Sequence, residues 1–204
     1  FNVNKGDIIT TPYDNNGVEI KSSTDKDLVL YHVDDSPLMN YLGVIPNKII
    51  IPPTIYKKDE ILSFMNKINN QPGAKNRNRN GVLLGNNITE EIGTKTLTNI
   101  LWSLYNIIGP NTVQKPHKHN SVALDLCTYA VPNKVYTLIG KDIDENGNIV
   151  NPEKVYWETN CAFTTPPGYW HSHVNESNEN AYVLPVQDAG LYTYQRTLDI
   201  NFVR

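Results

Sequence analysis

His117-Lys118-His119 and Thr165-Pro166-Pro167-Gly168-Tyr169-Trp170-His171-Ser172-His173 are the two stretches on which the reading of this chain turns. Four of its five histidines lie in them. In an extended strand alternate side chains share a face, so His117 and His119 point the same way and Lys118 points out. A Pro-Pro-Gly turn then delivers His171, a third imidazole, from a distant part of the chain. Three nitrogen donors with open positions left over form a catalytic type of metal site, since closed structural sites use four protein ligands. A single His-x-His is more often only a polar strand face. The second element, with its own histidine pair, is what favours a metal.

Around these stretches the chain reads as strands. Short apolar runs separated by turns begin at Val82-Leu83-Leu84 and continue through Leu97 to Ile108, Ala123 to Val131, Val135 to Ile139, Val155 to Trp157, Cys161 to Phe163, Ala181 to Val186 and Leu191 to Tyr194. That density of strands suits a jelly-roll barrel over residues 81 to 204. Residues 1 to 80 read as an extension packed on it. Its expected strands are Asp7 to Thr11, Val18 to Ile20, Leu28 to Val33 and Lys48 to Ile51, with a tight turn at Asp14-Asn15-Asn16-Gly17. One helix is expected, over Lys57 to Asn69, where Ile61, Leu62, Phe64, Met65 and Ile68 recur at helical spacing before Pro72-Gly73.

The motif residues resemble the cupins, most closely the gentisate/salicylate 1,2-dioxygenase-like group. The resemblance rests on Gly109, on Pro116 before His117-x-His119, on Pro166-x-Gly168-x-x-His171-x-x-x-Asn175, and on Leu101-Trp102 ahead of the first pair. It covers roughly residues 80 to 204. It implies an all-β jelly-roll barrel with His117, His119 and His171 as metal ligands. Fe(II) is the favoured ion, and Zn, Ni, Mn or Cu suit the same donors. It further implies that His173 stands near a substrate hydroxyl, where proton transfer and a hydrogen-bonding role behind the metal are the alternatives.

Three pocket positions depart from that group. Asp125 stands where an arginine is usual, Asn106 where a glutamine is usual, and Pro185 where an aspartate is expected. A carboxylate cannot replace the guanidinium that holds a substrate carboxylate, so gentisate is not the expected substrate. Trp102, Asn106 and Trp170 are the expected substrate-binding residues, with Tyr105 and Tyr169 as further candidates for an aromatic lining. Asp125 and His173 are the expected catalytic groups. Core packing is the competing role for each of the aromatics.

The expected function is a dioxygenase-like oxidoreductase acting on a small organic molecule. A non-catalytic, cupin-derived structural or assembly protein with a stabilising metal is the alternative. A metal-assisted isomerase or lyase comes third. In either of the first two cases a homo-oligomer is expected. The 204 residues carry a net charge of −3, with 39% hydrophobic and 19% charged residues. No basic stripe interleaves with aromatics, so no nucleic acid is expected as partner. The run Lys75-Asn76-Arg77-Asn78-Arg79 reads as a solvated loop. No apolar run is long enough for a membrane helix. Cys127 and Cys161 read as buried free thiols, His32 as a lone core or surface histidine, and Asp142 to Gly147 as a hairpin turn in preference to a calcium loop. The sequence starts at Phe1 without an initiator Met, which points to processing or excision from a longer chain. Nothing in it fixes a compartment.

Overall fold

The computed structural model describes residues 2–12, 17–74 and 79–203. Along the chain these form β1 (Ile8–Thr10), α1 (Ser36–Leu42), β2 (Thr54–Tyr56), α2 (Lys58–Asn69), β3 (Asn80–Leu83), α3 (Asn87–Ile92) and β4 (Trp102–Ile108). There follow β5 (Thr112–Val113), β6 (His117–His119), β7 (Ala123–Tyr129), β8 (Val135–Gly140), β9 (Glu153–Tyr156) and β10 (Ala162–Thr165). The last elements are β11 (Trp170–Asn175), β12 (Ala181–Gln187), α4 (Ala189–Gln195) and β13 (Ile200–Phe202).

One antiparallel sheet has the order β10-β7-β12-β4-β3, and a second the order β13-β6-β11-β8-β9, with β5 pairing onto β11. Period-two alternation sorts the side chains of both. Ile108, Cys127, Val135, Trp157, Ala181 and Val183, drawn from the two sheets, pack into a single buried cluster. The sheets therefore face each other across a common interior, as a jelly roll requires. The opposite face of the first sheet presents Tyr105, Ile107, Leu184 and Val186, and α2 covers it with Ile61 and Met65. These two positions are four apart and lie one above the other on the helix. Asp59 and Glu60 in its first turn and Lys67 in its last complement the helix dipole.

The extension is corrected in three places. Val18 to Ile20, Leu28 to Val33 and Lys48 to Ile51 form no strands; β1 pairs instead with β2, which the apolar pattern did not mark. An apolar extended segment becomes a strand only where a partner edge takes its N–H and C=O groups, and among the described residues these three segments have none. The Asp14-Asn15-Asn16 turn lies outside the described residues. Helices number four among the described residues, not one. Leu191 to Tyr194, expected as a strand, is part of α4, where Gly190 N–H donates to Ile100 O and Thr193 Oγ1 donates to Ala189 O. A short apolar run carries no period that distinguishes the two. The stripe on α2 is also narrower than expected, since Phe64 is exposed with Lys67 Nζ 5.1 Å from its ring centroid.

Cys127 is buried and Cys161 exposed, and both are free thiols. His32 is a surface residue beside Asp34. Asp144 closes a polar turn by accepting from the N–H groups of Asn146 and Asn148. No helix among the described residues is long and apolar enough to cross a membrane.

Candidate metal centre

The neighbouring strands β6 and β11 set His117 directly opposite His171. Alternation then turns His117, His119, His171 and His173 to the interior, and Lys118, Trp170 and Ser172 to the other face. Ring centroids are 3.9 Å apart for His117 and His171, 4.9 Å for His119 and His171, and 5.5 Å for His117 and His119. All three are buried, and one nitrogen from each lies within 4.8 Å of the others, a group able to hold a metal ion. The Pro-Pro-Gly turn delivers the third ring. Gly168, at φ +76°, donates its N–H to His119 O over 2.7 Å and so ties the start of β11 to the end of β6. At the far end of β11, Asn175 Nδ2 donates to Ile108 O, Gly109 O and Glu179 O, which makes the last motif residue a structural clamp.

Hydrogen bonds prepare two of the rings. His119 Nδ1–H donates to Ser121 O at 2.8 Å, while Ser121 Oγ donates to Gln187 Oε1 at 2.8 Å. That tautomer leaves a lone pair on Nε2, and this atom is buried with no partner among the described residues. An orphaned buried acceptor costs about 1–3 kcal/mol, and an ion at that atom would satisfy it. His171 Nδ1–H donates likewise to Tyr169 O at 3.1 Å. Burial, followed by the field of the neighbouring rings, holds His117 and His171 far below the usual histidine pKa; burial also lowers His119, and takes His173 down to about 3. Neutral imidazoles are the form that ligates.

His117 differs from the other two. Arg79 Nη2 donates to its Nδ1 and also to Lys115 O at 3.3 Å. Arginine has no acceptor, so this lone pair is engaged, and His117 can ligate through Nδ1 only when Arg79 releases it. The guanidinium lies 5.2 Å from the ring centroid of Phe202, which itself stacks on His117. Its Nη1 is buried and has no partner among the described residues. Burial lowers Arg79 only to about 10, so it remains a cation at neutral pH. The sequence reading assigned Arg79 to a solvated basic run. Its one distinguishing signal is that it immediately precedes β3, whose pairing with β4 holds it in the fold. Residues 75 to 78 of that run lie outside the described residues.

His173 is buried beside the trio. Its Nδ1 is 2.9 Å from Thr137 Oγ1, which accepts from Trp157 Nε1–H at 2.8 Å. Asn106 and Asp125 share the interior faces of β4 and β7 with Ile108 and Cys127. Asn106 Oδ1 is buried without a partner. Asp125 lies opposite Pro185 and accepts from Thr165 Oγ1 at 2.7 Å; burial pushes it up to about 7. Among the described residues no hydrogen bond links it to the histidines. Trp102 lies opposite Gln187, the residue that supports Ser121. Trp170 is a correction: its ring is on the outward face, 4.9 Å from Lys118 Nζ, because it alternates with His171. Tyr105 also faces out, bonded to Thr128 at 2.8 Å, and Tyr169 sits 5.9 Å from Lys141 Nζ.

By sequence the chain matches no family model and no curated protein. By structure it matches salicylate 1,2-dioxygenase from Pseudaminobacter salicylatoxidans with a TM-score of 0.62 at 17% identity, covering 84% of this chain and 50% of that one. A mutant form of the same enzyme gives 0.63 at 16% identity over 86% and 51%. A second mutant form, in complex with gentisate, gives 0.62 at 16% identity over 94% and 52%. The fold is thus the all-β cupin jelly roll. The chain spans about half the length of the solved structures it matches.

Proposed function

We propose that this chain is a metal-dependent, dioxygenase-like oxidoreductase acting on a small organic substrate other than gentisate. The supporting observation is the convergence of His117, His119 and His171 on one buried point, with His119 Nε2 orphaned there. An Fe(II) ion held by these three rings supplies redox chemistry toward O2; Zn, Ni, Mn or Cu suit the same nitrogen donors. The chain's own residues do the rest. Arg79 brings a positive charge next to the histidines, which offsets the loss of an arginine at Asp125 and favours a substrate with an acidic group. Asn106 offers an unpartnered amide oxygen, and Trp102 a flat apolar wall. Asp125, raised to about 7, exchanges a proton near neutral pH.

The division into an extension over residues 1 to 80 and a barrel over 81 to 204 is proposed on the same basis. The exposed apolar residues of the extension, Val29, Tyr41 and Ile45 among them, support assembly into a homo-oligomer. They also favour a second reading, in which the metal only stiffens a subunit of a larger assembly. Elemental analysis of the purified chain beside His119→Ala tests the metal. The expected result is about one ion per chain, with binding in the variant weaker by about 100-fold or more. O2 uptake across a panel of phenols and hydroxy acids then separates the readings: consumption supports catalysis, and bound metal without consumption supports the structural role.

A further inference from the structure

We propose that Trp157 and Thr137 lock His173 as a hydrogen-bond donor whose Nε2–H faces the interior beside the three-histidine cluster. The argument is one of hydrogen-bond polarity. Indole Nε1 donates and never accepts, so Thr137 Oγ1 must accept from Trp157 across their 2.8 Å contact. The hydroxyl of Thr137 is fully buried, and among the described residues its only other partner is His173 Nδ1 at 2.9 Å. If His173 Nδ1 donated as well, the Thr137 proton would be left unpaired in the core, at the full desolvation cost of a buried donor. The chain of bonds therefore runs from Trp157 through Thr137 to His173, and His173 Nδ1 is the acceptor. Its proton sits on Nε2.

His119 and His171 are held in the opposite tautomer by backbone carbonyls. One interior face thus carries lone pairs from these two rings and an N–H from His173. Because its only lone pair is committed to Thr137, His173 cannot act as a base toward the interior. Its role is to hold an acceptor oxygen, and it selects ligands whose oxygen at that point carries negative charge, such as a phenolate or carboxylate. Thr137 and Trp157 are positioning residues that act through it. The ligand-selecting role rests on the metal-centre reading above; the tautomer does not.

Nitrogen-15 NMR of the histidines in the Zn(II)-loaded protein reads the tautomers directly, with the His173 signals assigned by their loss in His173→Gln. The expected spectrum has His173 protonated at Nε2, opposite to His119 and His171. Thr137→Val should lose this bias and Thr137→Ser should keep it. A wild-type His173 protonated at Nδ1 overturns the proposal whether or not any variant folds. The ligand role is read with azide titrated into Co(II)-loaded protein by visible absorption. Thr137→Val and His173→Phe should weaken azide about 5- to 10-fold, and Thr137→Ser should stay within about twofold of wild type. Equal affinity in all forms overturns that role. A chain that takes up neither Zn(II) nor Co(II) refutes the metal centre, while NMR of the metal-free protein still decides the tautomer.

Discussion

The dipeptide Val-Leu occurs at residues 29–30 and again at 183–184, with opposite fates. Val29 and Leu30 are 89% and 54% exposed, whereas Val183 and Leu184 are 0% and 6% exposed. The intrinsic preferences of the two pairs are identical. The difference is that β12 has β4 on one side and β7 on the other, so its backbone is paired along both edges over most of its length and its two faces meet the two buried clusters. Among the described residues the segment around Val29 pairs with no strand, and its hydrogen bond to the barrel is made by a side chain, from Tyr31 Oη to Leu124 O at 3.3 Å. Burial follows the availability of an edge and a face. A site that must hold three rings within a few ångströms is accordingly built on the barrel strands.

Substitutions can break or sharpen this contrast. The largest effect is expected from Ile108→Ala in the interior, about 2–5 kcal/mol less stable by denaturant unfolding. A value below about 1 kcal/mol would mean the two sheets do not share a packed interior. Next comes Asp125→Asn. Because the folded carboxyl titrates at about 7, above its unfolded value, the contribution of Asp125 to stability is fully present below about pH 4 and is lost as the pH rises through about 7. The asparagine variant lacks this loss, on the order of 2 kcal/mol, so its Tm should exceed that of wild type at about pH 8 and match it near pH 4. Parallel Tm profiles for the two proteins would place Asp125 in water. Gly168→Ala, at positive φ in the turn that anchors His119, should cost about 1–2 kcal/mol and weaken metal uptake in the same preparation. The smallest effect on the folded chain belongs to Val29→Ser, within about 0.5 kcal/mol by denaturant unfolding, since that residue is 89% exposed. A large loss there, or a shift to a smaller particle, would show that a second copy of the chain covers the extension.

The barrel strands and the histidine pairs were legible because each obeys a local rule. Alternation sets which residues share a face, and Pro-Pro-Gly sets a turn whose glycine alone adopts φ +76° without strain. Asp125 was singled out by the resemblance, at a position where that group usually carries an arginine, and strand parity in the structure turns it to the interior. Trp170 was misplaced by reading proximity in sequence in place of parity, since a residue adjacent to an inward histidine in a strand must face out. The expected strands at Val18, Leu28 and Lys48 failed because propensity does not reveal whether an edge is free, and Leu191 to Tyr194 failed because a run of four residues is too short to show either period.

From the sequence alone came the alternating strands and the inward histidines, consequences of backbone geometry acting over a few residues, while the altered positions Asp125, Asn106 and Pro185 came from the resemblance to the gentisate/salicylate 1,2-dioxygenase-like cupins. The tertiary structure alone decided which segments found partners, that Arg79 meets His117, and that Trp157 and Thr137 stand behind His173. Those contacts join residues far apart in the chain, and hydrogen-bond direction and burial are properties of the assembled interior that no local pattern encodes.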